Sequence, residues 1–121
     1  MLRYRLSDAA QADVIDILAW THEQFGEAAR LRYQSLIVAA LREVATQPDR
    51  PGSIERPELG AGVRSWRLRL SRDHVGAAAR VVRRPRHFLT YRFEPALLVV
   101  GRVLHDAMEL ARHLDPDTSW E

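Results

Sequence analysis

Hydrophobic positions change period along the chain, and each change marks a new element. Residues 2–6 alternate, with Leu2, Tyr4 and Leu6 on one side, which predicts a first strand. Ser7 then stands where a helix N-cap belongs, and Asp8 suits the positive end of the helix dipole. Ala10, Val14, Ile17, Leu18, Thr21 and Phe25 follow at helical spacing, so helix one spans about 8–25, with Gly26 as its stop. A second stripe, Ala29, Tyr33, Leu36, Ile37, Ala40, Leu41 and Val44, gives a helix to about Gln47, ended by Pro48. Two adjoining amphipathic helices joined at a glycine form a helical hairpin.

The next segment, 48–62, holds three prolines and three glycines and reads as a loop. From Val63 to Leu70 the period becomes two. Arg64, Trp66, Leu68 and Leu70 point one way, and Val63, Ser65, Arg67 and Arg69 the other. Residues 71–85 fit neither period. Arg86 to Phe93 reads as a strand with Leu89, Tyr91 and Phe93 on one face, and Glu94-Pro95-Ala96 as a turn. Leu97 to Leu104 is a near-continuous apolar run, the mark of a central strand covered on both sides. A short helix over about 106–114 closes the pattern, and Asp115-Pro116-Asp117 ends it. The order is β-α-α-β-β-β with a short C-terminal helix. This predicts an α+β fold, its helical hairpin packed on one face of a mostly antiparallel sheet.

Composition narrows the class. A chain of 121 residues, 46% hydrophobic and 28% charged, fits one globular domain over residues 1–121. No apolar run approaches the roughly 18 residues of a membrane span. The N-terminus Met1-Leu2-Arg3-Tyr4-Arg5 lacks the apolar core of a signal peptide. The chain has no cysteine, which excludes disulfides, thiolate metal sites and a cysteine nucleophile. A cytoplasmic protein is expected.

All 18 basic residues are arginine, as a GC-rich genome would produce, but their placement is uneven. Residues 63–105 carry 10 arginines against 2 acids, a net of +8, whereas the flanking segments 1–62 and 106–121 are net −2 and −4. The modest overall +2 hides a basic middle segment suited to nucleic acid or an acidic protein partner. With the helices on one face of the sheet, much of this charge is expected on the other.

Several stretches together carry a family resemblance. They are Tyr4-Arg5-Leu6-Ser7 leading into helix one, Phe25-Gly26 at the helical turn, Pro48, and Phe88-Leu89-Thr90-Tyr91-Arg92. The most specific is Arg102-Val103-Leu104-His105-Asp106-Ala107-Met108-Glu109, running on to Arg112-His113-Leu114. In this element order the chain resembles the ParE/RelE toxin superfamily of bacterial type II toxin–antitoxin systems, most closely its ParE branch. The resemblance covers nearly the whole chain. It implies a small toxin, of the plasmid-stabilisation kind, held inactive in a hetero-oligomer by a ParD-like antitoxin encoded beside it. ParE-type members poison DNA gyrase by binding. RelE-type members are metal-independent, ribosome-dependent mRNA endonucleases, which is the alternative activity.

For the nuclease reading the candidate catalytic residues are Arg67, Arg69, Arg92, Arg102 and His105, which would stabilise phosphate charge and move protons. For the binding reading the candidate target or antitoxin contacts are Arg67, Arg69, Arg92 and Arg102, with Met108, Arg112, His113 and Leu114 on the last helix. Tyr91, on the apolar face of its strand, is poorly placed for chemistry. His105 is open to two readings, a general acid or base near neutral pH and a structural residue at a strand-to-helix junction. His87 and His113 read as exposed or packing residues, and the five histidines show no metal-ligand spacing. No cofactor and no metal are expected. Trp66 should pack beneath the sheet, while Trp120 is either a partner anchor or part of a disordered tail.

Overall fold

A computed structural model describes residues 1–74, 82, 84–106 and 120. The first strand, β1 (Arg3–Leu6), leads into α1 (Asp8–Phe25), with the predicted bounds. Ser7 caps this helix through its Oγ, which accepts from the Ala10 amide at 3.0 Å. Gly26 separates α1 from α2 (Glu27–Thr46) at φ 90°, a left-handed value that glycine adopts without the Cβ clash of other residues. The stripe predicted for α2 is the core of the protein: Leu36, Ala40 and Val44 are fully buried. The α1 stripe is shallower. Ala10 and Thr21 are buried, but Phe25, expected in that stripe, is 67% exposed.

The remaining strands are β2 (Ile54–Glu55), β3 (Arg64–Arg67), β4 (His87–Glu94) and β5 (Leu97–His105). They form one five-stranded sheet in the order β1-β5-β4-β3-β2. Only β1 against β5 is parallel; the other three pairs are antiparallel. This is the α+β arrangement expected from the sequence. The apolar run of β5 is central, between β1 and β4, and apolar on both faces. Leu98, Val100 and Val103 join the helices in the main core, while Leu104 packs with Leu59, Val63 and Phe88 in a second cluster.

Two expectations need correction. The 48–62 segment is not all loop, since it contains β2 and a 3-10 turn at Pro57–Leu59. Buried Tyr91 holds it to the sheet: its hydroxyl donates to the Pro48 carbonyl at 2.5 Å and accepts from Ser53 Oγ at 2.5 Å. The strand expected over 63–70 stops at Arg67, and Leu68–His74 is a 3-10 helix. The indole of buried Trp66 donates to Ser71 Oγ at 2.9 Å, which folds this helix back beneath the sheet. Glu43 on α2 fixes its far end, 2.8 Å from His74 Nδ1. The second Glu43 oxygen lies 3.2 Å from Arg50, paired by charge though not aligned as a hydrogen bond. Arg67 and Arg69 therefore do not share a strand face. The expected C-terminal helix lies outside the described residues, and with it Met108, Arg112, His113 and Leu114.

One irregularity governs β5. Tyr91 pairs with Val100, but Thr90 pairs with Arg102, so Gly101 has no partner on β4 and forms a bulge. Side chains bond three of the backbone groups around it. Ser7 Oγ donates to the Gly101 carbonyl at 2.7 Å, and the Arg102 amide donates to Thr90 Oγ1 at 3.1 Å. The Val103 amide donates to Asp13 on α1 at 2.9 Å. Asp13 also takes two bonds from the Arg102 guanidinium, at 2.7 and 3.0 Å, a bidentate pair largely shielded from solvent. A Cβ at 101 would come within 3 Å of the Trp120 ring, so a larger residue there would push that ring off the sheet.

Asp13→Ala leaves the Val103 amide and the Arg102 guanidinium without this carboxylate. We expect a loss of about 3 kcal/mol in unfolding free energy, read by urea denaturation. A change below about 0.5 kcal/mol would show that the bulge does not depend on it.

Candidate functional site

The bulge sets which side chains meet at the end of the sheet. Past Gly101 the register advances by one, so His87 at the start of β4 faces His105 at the end of β5. Their rings meet edge to face with centroids 5.3 Å apart. The Tyr33 hydroxyl, from α2, lies 2.5 Å from His87 Nδ1, and the two rings are also edge to face at 5.4 Å. The Asp106 carboxylate sits 3.5 Å from His105 Nδ1, while its backbone amide donates to the Arg86 carbonyl at 2.7 Å. Three elements thus converge on a Tyr33–His87–His105 chain.

Burial shifts both ends of the Tyr33–His87 bond. Desolvation, reinforced by the neighbouring His105, pushes His87 down to about 4. Burial likewise pushes the Tyr33 hydroxyl up to about 12. Both groups are therefore neutral at pH 7.

This chain forms part of a cavity of about 1050 Å³ between the hairpin and the sheet end. Ile17, Trp20, Thr21, Phe25 and Ala29 make its helical wall, and Arg32, Arg84 and Arg86 line it as well. Trp20 and Phe25 stack edge to face at 5.7 Å yet stay 56% and 67% exposed. Among the described residues Asp16 is the acid in the lining.

The residues singled out in the sequence do not gather here. Of the candidate arginines, Arg102 is committed to Asp13. Arg67 faces solvent on the sheet side away from the helices, where its β4 partner Phe88 joins the second cluster. Arg92 occupies that same side, its guanidinium over the Trp120 ring at 5.4 Å. The register puts Arg67 beside Phe88, four residues from Arg92 and so about 13 Å along β4. Arg69 is exposed on the 3-10 helix. The sheet side away from the helices therefore carries Arg67 and Arg92 of the basic segment beside an apolar cluster, and Arg3 and Arg5 of β1 are exposed on it too, Arg5 across Val99 from Arg92. Trp120 packs on that cluster, half-buried.

Of the sequence candidates among the described residues, only His105 lines the cavity, and its partners Tyr33 and His87 were missed as site residues. Tyr33 reads as one more apolar position of the α2 stripe. His87 was signalled weakly, by its place at the end of a strand hairpin; hairpin pairing without a bulge would have set it against Leu104. Among the described residues no group of three or more histidines, aspartates or glutamates is placed to hold a metal ion. Among them, too, no helix is long and apolar enough to cross a membrane.

Residues 4–110 match the family of the ParE toxin of type II toxin–antitoxin system, parDE. No functionally curated protein matches the sequence. Among solved structures, the chromosomal ParDE toxin–antitoxin system from P. aeruginosa aligns with a TM-score of 0.62 at 16% identity, over 87% of this chain and 96% of that one. At that identity the likeness concerns the fold.

Protonation of His87 supplies a pH test. Its folded value lies below the ordinary 6.5, so the unfolded chain binds the proton more readily between about pH 6.5 and 4. Stability should be flat above that window and fall on acidification through it, by about 2 kcal/mol after allowance for partial solvent screening. His105, Asp106 and Asp13 face the same imidazole, the first opposing its protonation and the two acids favouring it. His87→Gln should flatten the pH dependence of the urea midpoint; an unchanged profile would assign the acid sensitivity elsewhere.

Proposed function

Because the chain belongs to the ParE toxin family of type II toxin–antitoxin systems, we propose that it is a cytoplasmic toxin that arrests DNA gyrase by binding it and is neutralised by a ParD-like antitoxin encoded beside it. The observation that carries a binding mode of action is the scatter of the candidate catalytic cations. Arg102 is locked to Asp13, and Arg67 and Arg92 lie well apart on the sheet. Tyr91 is fully buried and held to Pro48 and Ser53. A phosphodiester cleavage site needs such groups within hydrogen-bond reach of one reacting centre.

The sheet side away from the helices suits an antitoxin tail. It offers exposed Arg67 and Arg92 around an apolar cluster of Leu59, Val63, Phe88 and Leu104. Acidic residues on a partner would steer to the arginines while its apolar residues displace or cover Trp120. Toxin and antitoxin would form a hetero-oligomer, and Arg69 on the adjoining 3-10 helix would extend its basic rim.

The competing reading, a ribosome-dependent mRNA endonuclease, draws on the His87–His105 contact beside Tyr33, in a cavity that Arg32, Arg84 and Arg86 also line. A paired assay separates the two. We expect purified protein to inhibit gyrase supercoiling and to leave ribosome-bound mRNA intact; untouched supercoiling with mRNA cleavage would overturn the gyrase reading. For the antitoxin surface, Arg67→Glu with Arg92→Glu should raise the dissociation constant of the cognate antitoxin about tenfold, with a weaker salt dependence. Unchanged affinity and salt dependence would remove that surface from the interface.

A further inference from the structure

We propose that the cavity between the helical hairpin and the sheet end is a binding site for single-stranded nucleic acid, with a base against Trp20 and phosphates on Arg84, Arg86 and Arg32. This site lies apart from the Arg67/Arg92 surface and does not depend on the gyrase or antitoxin reading.

Three features of the cavity select this ligand. The first is an aromatic wall left open. Trp20 is 56% exposed, and Phe25 at 5.7 Å sets its ring on edge, so one indole face remains available for a planar base. A tryptophan of this exposure on a helix contributes little to its own core.

The second is the cationic lining. Among the described residues none of Arg32, Arg84 and Arg86 forms an ion pair with an acid. Their guanidiniums have the planar fork that matches phosphate oxygens. Among the described lining residues Asp16 is the opposing charge, so their balance is positive at neutral pH. The three guanidiniums come from two parts of the fold, Arg32 from α2 and Arg84 and Arg86 from the segment before β4, and suit the successive phosphates of a strand.

The third is the polar floor. Tyr33, His87 and His105 place hydroxyl and ring-nitrogen groups at the sheet end of the cavity. An apolar anchor from a protein helix would bury this polar end against hydrocarbon, whereas the polar edge of a base or a sugar hydroxyl suits it. The volume of about 1050 Å³ matches the upper range of small-ligand sites, roughly 300–1,000 Å³, and accommodates one or two nucleotides of a longer strand.

The test is fluorescence polarisation of a labelled ten-nucleotide thymidine strand with the full chain. We expect a dissociation constant between about 1 and 100 µM at about 50 mM salt, with a log–log salt slope of about −2 from three arginine contacts. Trp20→Ala should weaken binding about tenfold without changing that slope. Arg84→Ala with Arg86→Ala should also weaken it about tenfold and bring the slope to about −0.7. Arg67→Ala, on the far side of the sheet, should leave binding within about twofold. All four positions are on the surface, and circular dichroism confirms that each variant is folded. Absence of binding by the unaltered chain at about 1 mM strand would overturn the proposal. So would Trp20→Ala and Arg84→Ala/Arg86→Ala variants that bind as the unaltered chain does. Displacement of the strand by deca-glutamate at equal concentration would show a site that reads charge alone and takes acidic peptide. Equal competition by adenosine monophosphate would show a mononucleotide site instead of a strand site.

Discussion

The organisation of this protein depends on one extra residue in its central strand. Gly101 has no partner on β4, and an unpaired position in a buried strand leaves polar backbone groups that must be satisfied. Three side chains from distant parts of the sequence do so. Ser7 takes the Gly101 carbonyl, Thr90 accepts the Arg102 amide, and Asp13 accepts the Val103 amide together with the Arg102 guanidinium. Ser7 is also the N-cap of α1. The same hydroxyl thus starts the first helix and fixes it to the bulge. Asp13, two turns on, repeats the attachment through charge. The helical hairpin is held to the sheet by packing along α2 and by these directional bonds along α1, whose own apolar contact is thin.

The bulge also arranges the chemistry of the surface. By advancing the register it moves Val103 to the helix side and Leu104 to the other, giving β5 a core contact on each face. It brings His105 opposite His87, and α2 supplies Tyr33 beneath them. A cavity results whose wall is aromatic, whose floor is polar and whose lining includes three arginines. On the other face Gly101 leaves room for Trp120, which covers part of the second cluster and stacks under Arg92. The two surfaces on which a partner or ligand would act are therefore both consequences of the same irregularity.

The arginines are divided by this arrangement into different kinds of work. Arg102, Arg64 and Arg50 bind carboxylates, hydroxyls or carbonyls of their own chain and hold loops and helices in place. Arg67 and Arg69 face solvent, and Arg92 stacks on Trp120. Arg32, Arg84 and Arg86 line the cavity. A net charge counted along the sequence treats all of these alike. Only those not engaged internally contribute fully to steering a partner, because an internal carboxylate cancels most of a guanidinium's outward field.

The sequence by itself determined the two helices, their junction at Gly26, four of the five strands in their order along the chain, and the family. Those features rest on local rules: apolar period, a serine cap, a glycine stop and a run of specific residues near the end. It also placed Tyr91 in the interior and Trp66 beneath the sheet. It misjudged the stretch after Arg67, because alternation continues through Leu68 and Leu70 although Trp66 bonds to Ser71 and curls the backbone into a 3-10 helix. The commitment of Arg102 to Asp13, the meeting of His87 with His105 and the exposure of Phe25 were decided only by the tertiary structure. Each depends on the β5 register, or on how far a helix end overhangs the sheet. Those are fixed by hydrogen bonds and packing between residues as far apart as Ser7 and Gly101, where no local period carries the information.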